Sequence, residues 1–259
     1  MINVTIQDYQ AIVIFWLVFT RWFVILMQLP IFDNNSIPVV VKTLFTVIVS
    51  YAFYNHVSPE VAKDIAYLGM DNFWALTIFY AGTGLLIGYL VKCLMNVFIA
   101  AGSIITQQIG FGAVSYFDPA SAQQVGPFEK MIQWTMLITI LSSGALIPMF
   151  KGIFNSFWAI HIFDIGKFAH SPEYFVEVFK GIFLSALLLS SPMIFINLLI
   201  TSVLGVIARM VPQMNVIMVS FVVNIGLGLL VFAASSDEFF RVAFKIYTEK
   251  LGEWFQFVI

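Results

Sequence analysis

Few side chains in this sequence can do chemistry, and their placement is informative. The three histidines, His56, His161 and His170, are scattered along the chain, and the single cysteine, Cys93, lies between Lys92 and Leu94. There is no H-E-x-x-H pair and no G-x-x-x-x-G-K-[ST] phosphate loop, so neither a zinc-hydrolase site nor that kind of nucleotide site is written here. No metal or other cofactor is expected. One cysteine permits no internal disulfide and reads as a small buried apolar residue. Two cations, Arg21 and Lys92, do fall inside apolar runs. An unpaired charge at bilayer depth is costly, so each must find a partner or reach the interface. Lys92 sits late in its run and can snorkel. Arg21, in the middle of 11–30, is expected to have a specific partner, a carboxylate or a set of carbonyls.

A second kind of chemistry belongs to the backbone. Gln107-Gln108-Ile109-Gly110-Phe111-Gly112-Ala113-Val114-Ser115-Tyr116-Phe117-Asp118-Pro119 leaves a hydrophobic stretch yet stays apolar, and Gln123-Gln124-Val125-Gly126-Pro127 follows. Gly110 and Gly112 open conformations closed to other residues, and the residue before a proline avoids the helical region, which makes Asp118-Pro119 a turn. Irregular backbone at membrane depth survives only when protein covers it or when it lines a cavity. The segment 107–128 therefore reads as an external loop between helices or as a loop inside an assembly, crossing a pore. A shorter break, Arg209 to Val216, separates two charge-free runs. Arg209 can serve the last carbonyls of the helix before it, and Pro212 ends that helix.

The elements that must position these residues are hydrophobic helices. Of 259 residues, 61% are apolar and 10% charged, and the mean hydropathy is +0.96. A soluble domain carries roughly 25% charged residues, so much of this surface must face lipid or other subunits. Residues 72–91, 93–117, 131–150, 181–208 and 210–236 bear no charge, and a spanning helix needs about 20 apolar residues. Six hydrophobic helices are predicted, over 11–30, 38–55, 73–101, 129–150, 178–206 and 214–234. Pro30 and Pro38 bracket the first turn, and polar connections are predicted over 55–72 and 151–177. From Asp237 onward Phe240, Phe244, Tyr247, Leu251, Trp254 and Val258 trace one face of an amphipathic helix, suited to the membrane surface or to another subunit. Gly84 and Gly88 form a small-xxx-small pair that permits close helix packing.

The net charge of −2 gives no basic excess for nucleic acid. The run 11–30 reads as a retained membrane segment rather than a removable signal, and the Lys/Arg distribution favours both termini on the cytoplasmic side. Acidic residues stay out of the predicted spans, apart from Glu129 and Glu177 at their boundaries. Proton-driven carriers place such groups within the membrane, so an autonomous proton-coupled transporter is disfavoured. A passive conduit driven by other proteins is not.

Four groups of residues together resemble the FliR family of flagellar type III export-gate proteins, which is related to the T subunits of virulence-type injectisomes. They are Arg21…Pro30…Ile37-Pro38…Lys42; Gly102…Gln108-x-Gly110-Phe111…Phe117-Asp118-Pro119 followed by Gln123-Gln124-Val125; Pro192 with Asn197 and Gly205; and Arg209-x-x-Pro212-Gln213-x-Asn215-Val216. The sequence departs from the family pattern at Ser103, where Glu is frequent, at Ser143-Gly144-Ala145 in place of Asn-Gly-His, and at Ile217 and Phe221-Val222.

The resemblance implies an all-α membrane protein of kinked hairpins. In it a FliP-like part (about 1–177) is joined to a FliQ-like part (about 178–259) in one FliR-like domain. It implies a non-enzymatic channel subunit that assembles with FliP and FliQ into a helical gate, bound by FlhB and served by FlhA. The cargo would be unfolded flagellar rod, hook and filament proteins. The gate belongs to the bacterial inner membrane and the flagellar basal body, with part of it above the bilayer plane, in contact with lipid. Gln108, Gly110, Phe111, Gly112, Tyr116, Phe117, Asp118, Pro119 and Gln123 would form the plug or constriction. Arg21, Pro30, Pro38, Lys42, Arg209, Pro212, Gln213 and Asn215 would form structural or gate motifs. The alternatives are an injectisome T subunit, a stand-alone solute transporter with its own intramembrane binding groups, and a scaffold without a channel surface.

Overall fold

The computed structural model describes residues 6–29, 32, 37–111, 127–164, 172–211, 213 and 215–258, and among these there is no strand. The helices are α1 (Ile6–Gln28), α2 (Val39–Leu68), α3 (Phe73–Ile109), α4 (Pro127–Ser142), α5 (Leu146–Ala159), α6 (Pro172–Met210) and α7 (Val216–Val258), with short 3-10 turns at Met70–Asn72 and Ile162–Asp164. Among the described residues, Tyr9–Gln28, Met70–Ile109, Phe179–Met210 and Met218–Glu253 are long and apolar enough to cross a membrane. The pair Phe128–Ser142 and Leu146–Ala159, bent by 76°, is a fifth candidate. This is an all-α membrane protein. α2, which carries Lys42, Glu60, Lys63 and Asp64, is not among the candidates.

Several boundaries differ from the sequence-based expectation. α3 runs to Ile109 rather than to 101, and the connection predicted over 151–177 is helical as far as Ala159 and again from Pro172. The polar connection predicted over 55–72 is helical as far as Leu68, because its residues (Glu60, Ala62, Lys63, Ala66) are good helix formers and Lys63 and Glu60 pair at 2.7 Å one turn apart. α2 stops at Gly69, whose φ of +84° suits glycine and whose N–H bonds the Ile65 carbonyl at 2.9 Å. The predicted helix 129–150 is two helices, broken at Gly144 with φ of +72°. The amphipathic tail continues α7 without a break. Part of its apolar face is covered by the chain itself: Tyr247 and Leu251 are buried, and the Tyr247 ring lies 6.4 Å from that of Phe98.

Two compact units are present, one built from 1–94, 146–176 and 250–259, the other from 95–145 and 177–249. In the first, Leu17, Val18, Trp22 and Ile25 of α1 are buried with Val57 and Val61 of α2, Leu76 and Tyr80 of α3, and Ile153 and Phe157 of α5. Trp22 stacks on Phe53 at 5.4 Å and Phe150 at 6.1 Å. The Gly84/Gly88 pair serves packing within the chain: a Cβ on Gly84 would stand 2.9 Å from the Arg21 carbonyl oxygen, so α3 lies directly against α1.

In the second unit, Phe98, Ala101, Ile105 and Ile109 form a buried row on α3 at helical spacing. Ile132, Met136 and Ile140 of α4, Leu189 and Met193 of α6, and Phe232, Phe239 and Ala243 of α7 are buried as well. The opposite faces of α6 and α7 expose Leu184, Leu188, Phe195, Val206, Met218 and Val222, surface for lipid or protein neighbours. Pro192 sits inside α6. A proline has no N–H for the carbonyl four residues back, which is that of Leu188, and the Ser191 hydroxyl donates to this carbonyl instead, at 2.8 Å.

Candidate functional site

The first unit answers the question posed by Arg21. The residue is fully buried. Its Nη1 donates to the Ser156 carbonyl at 3.0 Å and its Nη2 to the Ile160 carbonyl at 3.4 Å. These lie at the end of α5, where the helix dipole is negative; the Ser156 carbonyl accepts the Ile160 N–H as well, at 3.1 Å. The guanidinium also stands 4.4 Å from the ring centroids of Tyr80 and of Phe157, a geometry that stabilises a desolvated cation.

A buried anion holds the same segment from the other side. The Tyr80 hydroxyl donates to Asp64 Oδ2 at 2.7 Å. Asp64 Oδ1 accepts from the Ile162 N–H at 3.3 Å and lies 3.1 Å from His161 Nδ1. His161 Nε2 is 3.6 Å from Glu60 Oε2, and its ring stacks on Phe163 at 4.8 Å. Arg21 and Asp64 thus pin residues 156–162 from two directions. Among the described residues no group of three His, Cys, Asp or Glu could hold a metal ion.

Asp64, Tyr80 and His161 were absent from the sequence-based site. A signal for Asp64 was available, because Val57, Val61, Asp64 and Ile65 share the buried face of α2, which places a carboxylate in a core stripe. The other early motif residues are peripheral. Pro38 precedes α2, and its carbonyl accepts from the N–H groups of Val41 and Lys42 at 3.0 and 3.3 Å. Pro30 lies outside the described residues.

The second unit contains the start of the glycine-punctuated segment. α3 ends at Ile109 and the chain turns at Gly110, whose φ of +95° is a left-handed conformation; its N–H bonds the Gln107 carbonyl at 3.1 Å. Three contacts hold this end. Asn197 Nδ2 of α6 donates to Gln108 Oε1. Ile109 is fully buried against Gly228 of α7, where an added Cβ would come within 3.0 Å of Ile109 Cγ1. A Cβ on Gly110 would lie 3.7 Å from Ile225 Cγ1 and 3.9 Å from Asn224 Cβ. Beyond the turn, Phe111 stacks on Phe128 at 6.3 Å, and Phe128 meets Phe232 edge-on at 4.8 Å. The amide oxygens of Asn197 and Asn224 are shielded from solvent and accept no hydrogen bond.

Of the expected constriction residues, Gln108, Gly110 and Phe111 therefore come together. Gly112, Tyr116, Phe117, Asp118, Pro119 and Gln123 lie outside the described residues. Asn224 carried no sequence signal, being one neutral amide in an apolar run. In the hairpin between α6 and α7, Arg209, Gln213 and Asn215 are exposed, and Pro212 lies outside the described residues. Asn215 has a defined structural part: its Oδ1 accepts from the Met218 N–H at 3.3 Å, an N-cap for α7.

Comparison with known proteins covers nearly the whole chain. The model of bacterial export proteins, family 1, matches residues 12–249. The flagellar biosynthetic protein FliR of Bacillus subtilis (strain 168) is 25% identical over 240 residues, 90% of either chain. The FliR protein of Escherichia coli (strain K12) is 24% identical over 209 residues, 79% of this chain and 77% of the other. The Yop proteins translocation protein T of Yersinia pestis is 25% identical over 188 residues, 71% of either chain.

Proposed function

This chain belongs to the bacterial export proteins, family 1, and on that premise we propose that it is the FliR-type subunit of a flagellar type III protein export gate in the bacterial inner membrane. In this reading it assembles with FliP and FliQ, is bound by FlhB and works with FlhA. It lines a channel for unfolded flagellar rod, hook and filament proteins and catalyses no reaction of its own. The FliP-like part is 1–177 and the FliQ-like part 178–259. The Gln123-Gln124-Val125 stretch after Asp118-Pro119, together with flagellar relatives that match up to 90% of this chain, favours the flagellar over the injectisome system.

The observation that carries the channel reading is the end of α3. An apolar helix stops at a glycine with φ of +95°, and its last turn is held by α6 and α7. A segment that leaves its helix from so defined a seat suits a channel plug. Gly110 and Gly112 give it close packing, Phe111, Tyr116 and Phe117 exclude water and ions, and Asp118-Pro119 sets its turn. Deleting residues 110–117 in the assembled gate should raise its permeability to small ions. Unchanged ion flux through a correctly assembled complex would refute the plug. Co-purification with FliP and FliQ, followed by mass measurement of the complex, tests the assembly itself.

A further inference from the structure

We propose that Asn197 is a positioning residue that latches the glycine turn shut through Gln108, and that the latch is built to release. The proposal rests on the plug reading above and adds the element that fixes the turn at Gly110 from which the segment departs. Gln108 is in the last turn of α3, two residues before Gly110, so a bond to its side chain fixes the rotation at which the chain enters the turn. Asn197, from the middle of α6, supplies that bond. Ile109 between them is fully buried, with Gly228 close against it.

The release follows from what the amides leave unused. An asparagine side chain offers two donors and two acceptor sites. The Asn197 oxygen accepts nothing, and neither does that of Asn224 beside Gly110. A partly satisfied buried amide gains less from its site than a fully bonded one. Rotating α3 away from Asn197 exchanges one neutral hydrogen bond for water or passing backbone N–H groups, and gives the idle oxygens partners. A charged latch would resist such an exchange; a neutral one yields to modest force.

The test uses the complete export gate and two readouts. The first is hydrogen exchange of the backbone over Ile105–Phe111, which includes the Gly110 N–H. Asn197→Ala should speed exchange there about fivefold, the worth of one neutral hydrogen bond, and Gln108→Leu should do the same. The paired swap Gln108→Asn with Asn197→Gln keeps the combined side-chain length and should restore slow exchange. Asn197→Leu, which keeps the branched heavy-atom skeleton of asparagine without its polar atoms, replaces the alanine variant if the smaller residue blocks assembly. Unchanged exchange in an assembled single variant overturns the latch, and so does a rise that the swap leaves in place. The second readout is ion flux. Flux that rises in the single variants and falls back in the swap supports the proposal. Flux that rises on deletion of 110–117 but not in the single variants overturns it while leaving the plug intact. If exchange behaves as expected but the deletion passes no ions, the latch stands and the plug assignment fails.

Discussion

The two units each hold a helix end in place, and they do it with opposite chemistry. In the first, residues 156–162 are pinned by a buried cation and a buried anion. Arg21 binds two carbonyls and two aromatic faces, and Asp64 binds a hydroxyl, a backbone N–H and an imidazole. In the second, the turn at Gly110 is held by one amide–amide hydrogen bond and apolar contact, with two amide oxygens idle. Removing either charged residue leaves its buried hydrogen-bond partners unsatisfied, at the cost of their desolvation. Removing one neutral amide strands little. The contrast separates a hold that is costly to break from one that is cheaper to break.

The contrast can be broken by mutation, beginning where the effect should be greatest. Arg21→Leu should lower stability by about 3–5 kcal/mol, since two charge-assisted hydrogen bonds to buried carbonyls are lost. Thermal unfolding of the purified complex should shift down and its yield fall; normal yield with normal export would show that the charged pin is dispensable. Asp64→Asn should cost less, about 1.5–3 kcal/mol, since the hydrogen bonds lose their charged acceptor but the geometry survives, and the same melt reads it. Gly110→Ala forces a side chain into the left-handed region at roughly 1–2 kcal/mol. It should act mainly on ion leak and export rate, with little change in yield. Asn224→Leu removes an unpaired acceptor and should fall within about 0.5 kcal/mol of the parent in melting, or slightly above it. A loss there as large as that of Arg21→Leu would erase the distinction between the two units.

Much of the helical frame was legible because sparse charge and long apolar runs are strong signals. The α3 run, the turn glycine at 110 and the demand that Arg21 find a partner all followed from residue type and burial cost. Charge failed as a boundary marker in α2. Asp64 looked like part of a polar connection, yet it is in the core because Tyr80, His161 and the Ile162 N–H neutralise the cost of burying it. Those partners come from 16 to 98 residues away, beyond the reach of local periodicity. The break in 129–150 was hidden because Ser143-Gly144 lies in a charge-free run, and a single glycine does not separate a bend from a tolerated helix residue. The amide seat was hardest to see. Asn197 and Gln108 are 89 residues apart, and Asn224 differs from its apolar neighbours only by one carboxamide.

Pro192 gives α6 a property that an uninterrupted helix lacks. Flexing a helix ordinarily stretches backbone hydrogen bonds, and in lipid no water is at hand to replace them. At this proline the bond is already gone, and the hydroxyl of Ser191 travels with the carbonyl it serves. A cavity of about 130 Å³ next to it, walled by Ile105, Leu189, Met193, Phe232 and Phe239, leaves room for the adjoining side chains to shift. The helix therefore lacks one backbone hydrogen bond about one turn before Asn197, and a bend at that point would bare no further polar group to oil.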